Sequence, residues 1–285
     1  MKHRVVALGS FDGIHTGHMA VLGAALSLDP MATVACFEPL PRQVFLPPGS
    51  QVRLTTPSER IRVLGRAGVR STLAIPFDSR TREAGAEEFL DRLLGLCGFE
   101  QLVVGYDFRF GRNRTGNTEL LASWCGRAGV GLTVVPEVAE GGGAVKSERI
   151  RALIRKASLG EAAVLLGRRY GAVGAVARGR GVGRDLGFPT LNVRVPDCKL
   201  LPPSGSYAAG ARIADGPLTA AAVFVPALPG LVEAHLPGWS GDAYSETVEI
   251  VFSTLLRLAE KGLDTETLKK RIAGDVERAM EVAQE

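Results

Sequence analysis

Gly9-Ser10-Phe11-Asp12-Gly13-Ile14-His15-Thr16-Gly17-His18 is the stretch on which the reading of this chain turns. The apolar run Val5-Val6-Ala7-Leu8 precedes it and the helix-forming run Met19-Ala20-Val21-Leu22-Gly23-Ala24-Ala25-Leu26 follows it, so the order is strand, glycine-rich turn, helix start. Glycines let the backbone approach an anion closely, and a helix N-terminus offers N–H groups at the positive end of its dipole. The spacing therefore predicts a phosphate site, with His15 and His18, two of the chain's four histidines, within reach across the turn. A tight turn carrying two surface histidines is the plainer alternative.

Outward from that turn, strand-like runs recur at residues 5–8, 33–37, 72–75, 102–104 and 132–135, with helix-like stretches between them at 57–67, 86–96 and 118–128. This alternation predicts an α/β fold, a doubly wound, Rossmann-like parallel sheet that binds ligands at the C-terminal ends of its strands. Around residues 158–167 the rhythm changes. Short runs at 171–176, 190–195, 207–213, 220–225, 233–236 and 246–252, broken by Gly and Pro, predict a second, antiparallel β-barrel domain. Asp264 is a candidate N-cap for a closing helix whose Leu268, Ile272, Val276 and Met280 recur every four residues. The expected domains are 1–158 and 165–285.

The bulk composition agrees with two packed cores: 285 residues, 46% of them apolar. No apolar run approaches the roughly 18 to 20 residues of a membrane span. The opening Met1-Lys2-His3-Arg4 runs into a short strand instead of a signal peptide, so a soluble cytoplasmic protein is expected. Cys36, Cys97, Cys125 and Cys198 are too widely spaced for a Cys-x-x-Cys pair and read as reduced thiols. Residues 1–160 hold 20 Lys and Arg against 15 Asp and Glu, whereas residues 161–285 hold 14 against 15. That excess suits anionic small substrates and is too small to argue for nucleic acid.

The longer form Gly-x-Phe-Asp-Gly-x-His-x-Gly-His resembles the prokaryotic bifunctional riboflavin kinase/FAD synthetase family, and His-x-Gly-His alone resembles nucleotidylyltransferases in general. Four further segments are similar to the same family: Phe37-Glu38-Pro39-Leu40-Pro41-Arg42, Arg53-Leu54-Thr55-Thr56, Pro76-Phe77-Asp78 and Val104-Gly105-Tyr106-Asp107-Phe108-Arg109-Phe110-Gly111. Leu40 stands where the family usually has His. The resemblance implies attack of an FMN phosphate oxygen on the ATP α-phosphorus, with His15, His18 and Arg149 stabilising the developing charge and Mg²⁺ neutralising pyrophosphate. Gly9, Phe11, Asp12, Gly13, Gly17 and Ser147 would hold ATP. Ser147 and Arg149 open a helix in Lys146-Ser147-Glu148-Arg149, where Lys146 and Glu148 depart from the usual Ser-Ser/Thr-x-Arg. Asp107, Phe108 and Phe110 would meet the flavin, although Phe108 and Phe110 also fit a core role.

In the second half, Gly179-Arg180-Gly181-Val182-Gly183-Arg184-Asp185-Leu186-Gly187-Phe188-Pro189-Thr190-Leu191-Asn192 resembles the riboflavin kinase signature. Gly179, Gly181 and Gly183 would cover ATP phosphates. Thr190 and Asn192, two apart on an extended segment, face one side and offer hard oxygen ligands suited to Mg²⁺. By the same resemblance Glu233 is the base that takes the proton of the ribityl hydroxyl. Residues 222–230 lack the polar loop the family usually carries before that base. The implied chemistry is riboflavin to FMN and FMN to FAD, with ATP, FMN and riboflavin as substrates and no nucleic-acid, membrane or obligate protein partner. The alternatives left open are an FAD synthetase with an accessory barrel, another nucleotidyltransferase, and a flavin-responsive regulator.

Overall fold

The computed structural model describes residues 4–179, 182–260, 262 and 264–282. They form two compact units, 1–48 with 57–147 and 49–56 with 148–285. In the first, β1 (Val5–Gly9), β2 (Thr33–Glu38), β3 (Ser71–Pro76), β4 (Gln101–Gly105) and β5 (Gly131–Val135) make a parallel sheet in the order β3-β2-β1-β4-β5. Strands covered on both faces read as unbroken apolar runs, which is why β1 is Val-Val-Ala-Leu. Val6 and Leu8 enter one core with Phe89, Leu90 and Leu93 of the helix Ala86–Cys97 and Trp124 of the helix Thr118–Ala128. Val5 and Ala7 enter the other with Leu22 and Ala25 of the helix Thr16–Leu28 and Leu64 of the helix Pro57–Arg66. The strand order reverses between β1 and β4, so a crevice opens at their C-terminal ends. The loop at 10–15 and the loop at 106–117 both leave the sheet there. A small hairpin of β6 (Ala139–Glu140) and β7 (Gly143–Ala144) follows β5.

The second unit is a closed antiparallel barrel of β8 (Gly171–Ala177), β9 (Leu191–Arg194), β10 (Gly205–Ile213), β11 (Thr219–Val225), β12 (Leu231–His235) and β13 (Thr247–Leu258). Its order is β10-β11-β12-β9-β8-β13, with β13 pairing back onto β10. Burial alternates along β11, where Ala221, Val223 and Val225 are buried, so residues 222–225 of the stretch read as a departure from the family are barrel wall, while 226–230 form the turn into β12 and Leu228 is exposed. The helix Thr265–Val282 packs on β10 and β11, and Asp264 caps it by accepting the Thr267 N–H at 2.9 Å. A four-residue spacing overshoots the 3.6-residue turn by roughly 40° per step. By Met280 the stripe has rotated off the barrel: Met280 is exposed and Ala279 is buried in its place. Asp275, 5% exposed, pins the helix through Nε of Arg257 at 2.9 and 3.2 Å.

Contacts divide the chain after Ser147, ahead of the boundary at 158 expected from composition. The rest of the helix Ser147–Arg155, and the helix Leu159–Leu166, belong to the barrel unit. The strap 49–56 belongs there as well. The N–H groups of Val52 and Arg53 donate to the Cys198 carbonyl at 3.1 and 3.0 Å, and Leu200 N–H donates to the Arg53 carbonyl at 2.9 Å.

Candidate active sites

In the first unit, His15 caps the helix that follows β1. Its Nδ1 accepts the His18 N–H at 3.2 Å. A ring whose Nδ1 accepts carries its proton on Nε2 when neutral, so the tautomer is set by the cap. The His15 and His18 rings stack with centroids 3.7 Å apart and planes 15° apart, and Phe11 leans on His18 at 5.2 Å. A Cβ at Gly17 would stand 3.2 Å from the His15 ring, so this position keeps the stack against the first helical turn.

The loop itself is strained. Phe11, Gly13 and Ile14 all have positive φ, at 47°, 86° and 45°. Gly13 adopts this freely; a bulky aromatic and a β-branched residue do not. Burial holds them, at 1% exposure for Phe11 and none for Ile14. Two distant side chains hold the main chain between them. Ser147 Oγ donates to the Asp12 carbonyl at 2.8 Å, and Arg60 donates through one terminal nitrogen to the Ser10 carbonyl at 3.3 Å and the Phe37 carbonyl at 3.2 Å. The other terminal nitrogen of Arg60 pairs with Glu38 at 2.7 Å. Of the residues expected to hold ATP, Phe11 thus offers main chain only, and the Ser147 hydroxyl proton is engaged with the loop.

Beyond β4, Phe108 and Phe110 stack at 5.2 Å and 18°. Phe110 is a core residue at 4% exposure, so it backs the half-buried Phe108, which has ring surface to offer. Asp107 is exposed and pairs with Lys146 at 3.1 Å. The Asp107 carboxylate, which accepts from it, and then the neighbouring Tyr106 hydroxyl raise the Lys146 pKa above its ordinary 10.5, so the ammonium stays charged at neutral pH. Arg149 is half-buried and belongs to the second unit.

In the barrel, Asn192 on β9 lies opposite Glu233 on β12 and opposite Ala177 on β8. Directly paired residues share a face with Cβ atoms about 4.5–5.5 Å apart. Gly179 closes over Asn192, where a Cβ would sit 2.1 Å from the amide nitrogen. Gly183 does the same at Thr190, where a Cβ would be 3.1 Å from the hydroxyl and 2.5 Å from the Phe188 carbonyl. Gly181 lies outside the described residues. His235 anchors the turn between them: its Nδ1 is 2.8 Å from the Pro189 carbonyl, and its ring meets Phe188 edge-on at 5.6 Å. Arg178, just before the glycines, lies over the Tyr244 ring at 5.4 Å.

Family models agree with both halves: FAD synthetase matches residues 1–149 and riboflavin kinase matches residues 166–283. The bifunctional riboflavin kinase/FMN adenylyltransferase of Pseudomonas fluorescens is 33% identical over 99% of this chain and 94% of its own length. This chain belongs to the bifunctional riboflavin kinase/FMN adenylyltransferase family. The Escherichia coli K12 member is 32% identical over 95% of this chain and 90% of its own. A solved chain from Streptococcus pneumoniae, described as a macrolide-efflux protein, superposes with a TM-score of 0.86 at 27% identity, covering 98% of this chain and 94% of that one. Among the described residues no helix is long and apolar enough to cross a membrane.

Within this bifunctional family framework, two contributors escaped the sequence reading. Arg60 sits on an amphipathic helix, where an arginine looks like solvent-facing charge until the strand ends reach it. His235 was visible beside Glu233, but nothing local tied it to Pro189, which lies 46 positions away.

Proposed function

We propose that this chain phosphorylates riboflavin to FMN in its barrel and joins FMN to the adenylyl group of ATP at the Gly9–His18 loop, releasing pyrophosphate and FAD. The observation that carries the reading is the stacked His15–His18 pair, held on a helix start at the mouth of β1 beside the loop that bears Phe108. An FMN phosphate is already anionic at neutral pH, so its attack on the α-phosphorus needs no base. The need is for donors aimed at the equatorial oxygens as charge builds there. His15 and His18 supply them in this reading, while the main chain at Gly9, Gly13 and Gly17 lies against the other phosphates. The unit of residues 1–48 with 57–147 carries this half and the barrel unit the kinase half.

In the barrel, Glu233 takes the proton of the ribityl hydroxyl as that oxygen attacks the γ-phosphorus and ADP leaves. Thr190 and Asn192 suit Mg²⁺: two hard oxygens on one face, with Gly179 and Gly183 packed so closely that a side chain there would fill the place. Among the described residues no cluster of three or more His, Cys, Asp or Glu forms a cage, which fits an ion that arrives with nucleotide phosphates. Mg²⁺ supplies neutralisation of phosphate charge when bound. The use of ATP and the want of any disulfide among the four cysteines support a cytoplasmic setting.

The test is a chromatographic time course with ATP, Mg²⁺ and either riboflavin or FMN. FAD from both, with FMN rising first from riboflavin, is the expected result. FAD from FMN alone would overturn the kinase half, and FAD from neither would overturn the proposal.

A further inference from the structure

We infer that Arg60 is a positioning residue for adenylyl transfer: its guanidinium ties the Ser10 carbonyl to the end of β2 and so holds the strained backbone that carries His15. This rests on the reading of residues 9–18 as the adenylyl-transfer loop. The Arg60 side chain is 4% exposed, and a buried cation is tolerated only when its donors are matched. Both hydrogens of one terminal nitrogen go to main-chain carbonyls, Ser10 after β1 and Phe37 at the end of β2, and the other terminal nitrogen meets Glu38. The fork therefore gauges the separation of two adjacent strand ends on the side of β1 away from β4.

The loop requires such a gauge. Phe11 and Ile14 hold positive φ values that neither residue prefers, and strained backbone persists only where its surroundings over-determine it. Ser147 fixes the Asp12 carbonyl and Arg60 fixes the Ser10 carbonyl, so Phe11 is clamped from both sides. Those three residues lead into the His15 cap. Released at Ser10, the loop can relax φ at Phe11, and the His15 and His18 rings move with it. A lysine offers a point charge without the planar fork, and reaches these acceptors only in part.

The experiment uses the full chain with Arg60→Met and Arg60→Lys, measuring kcat and the KM for ATP in FAD formation, FMN formation from riboflavin, the melting temperature, and hydrogen exchange of the amides at 10–15. Arg60→Met is expected to lower the FAD-forming kcat by about 10²-fold, as misplacement of a catalytic group by roughly 1 Å does, while the KM for ATP changes by less than about threefold. FMN formation should persist, the loop amides should exchange faster, and Arg60→Lys should recover part of the kcat. If Arg60→Met melts below assay temperature, Arg60→Lys and Glu38→Gln carry the comparison, each expected to lower that kcat alone. An unchanged kcat, a raised KM with kcat kept, or equal loss of both activities would each overturn the inference. His18→Ala is run alongside. If it stays fully active, the loop reading falls and takes this inference with it, whereas an inactive His18→Ala beside a fully active Arg60→Met sinks the role of Arg60 alone.

Discussion

His15 commits Nδ1 to the helix cap, which leaves the ring proton of the neutral imidazole on Nε2. His18 lies on it at 3.7 Å, so the two rings act as one surface. Removing a donor aimed at a developing oxyanion costs about 10²–10³ in rate, and His18→Ala should lose that much FAD formation from FMN. Phosphorylation of riboflavin should survive, because Glu233 and Asn192 belong to the barrel. Glu233→Gln should show the opposite pattern, losing about 10²–10⁴ in FMN formation while FAD from added FMN persists. The two substitutions, assayed by separating the flavins, test the division of labour; parallel losses in either variant would refute it. At this scale the turn that carries the histidines into a helix start was readable from its glycine frame. The roles of Phe108 and Phe110 were not, since alternate aromatics fit a ligand wall or a core, and only the packing around Phe110 decides between them.

At the scale of elements, the glycines of the 179–190 segment matter for what they leave out. A methyl group at Gly179 would collide with the Asn192 amide and one at Gly183 with the Phe188 carbonyl, so each Ala variant has to open the turn or displace the group beside it. Gly179→Ala is expected to cut FMN formation by at least about tenfold, a loss of roughly 1.4 kcal/mol or more in transition-state binding, with FAD formation from FMN untouched. Full kinase turnover in that variant would mean that the segment does not cover the site. The closing helix has its own handle. The hydroxyl of Thr267, then its N–H, holds the Asp264 carboxyl below its ordinary 3.8. A carboxyl depressed in the folded state stabilises above the unfolded value and loses that contribution as pH falls through the folded one. Asp264→Ala should therefore lower the melting temperature at about pH 7, and the gap to the parent should narrow near about pH 3. A gap that is the same at both would assign the cap no charge. The eleven strands of sheet and barrel were all legible, because an unbroken apolar run and an alternating one are direct images of two-sided and one-sided burial. Helix Leu159–Leu166 was hidden by the absence of a polar face, its Leu159, Ala162, Leu165 and Leu166 all being buried.

Over the whole molecule, sequence order and spatial membership part company at residues 49–56. That segment lies in the first fifth of the chain, and its motif Arg53-Leu54-Thr55-Thr56 reads as part of the nucleotidyltransferase half, yet it is built into the barrel unit. Nothing local could reveal this, since the strap has no periodicity and its side-chain partners come 99 and 145 positions later. Lys199, 1% exposed, donates to the Leu54 carbonyl at 2.7 Å and lies 4.5 Å over the Tyr170 ring, while Arg151 donates to the Val52 carbonyl at 2.6 Å. Buried cations of this kind need their acceptors, so the strap completes the barrel unit instead of merely crossing it. Leu54 is 1% exposed, and truncating such a residue costs roughly 2–5 kcal/mol. For a unit of this size that is a fall on the order of ten degrees in melting temperature. Leu54→Ala should consequently lower the heat-inactivation midpoint of FMN formation more than that of FAD formation from FMN, although the substitution lies early in the chain. The two midpoints, read from residual activity after graded heating, decide the matter. An FAD-forming activity that fails first would return the strap to the nucleotidyltransferase half, and a larger drop in FMN formation would establish that the kinase depends on a segment far outside the residues its own sequence signature spans.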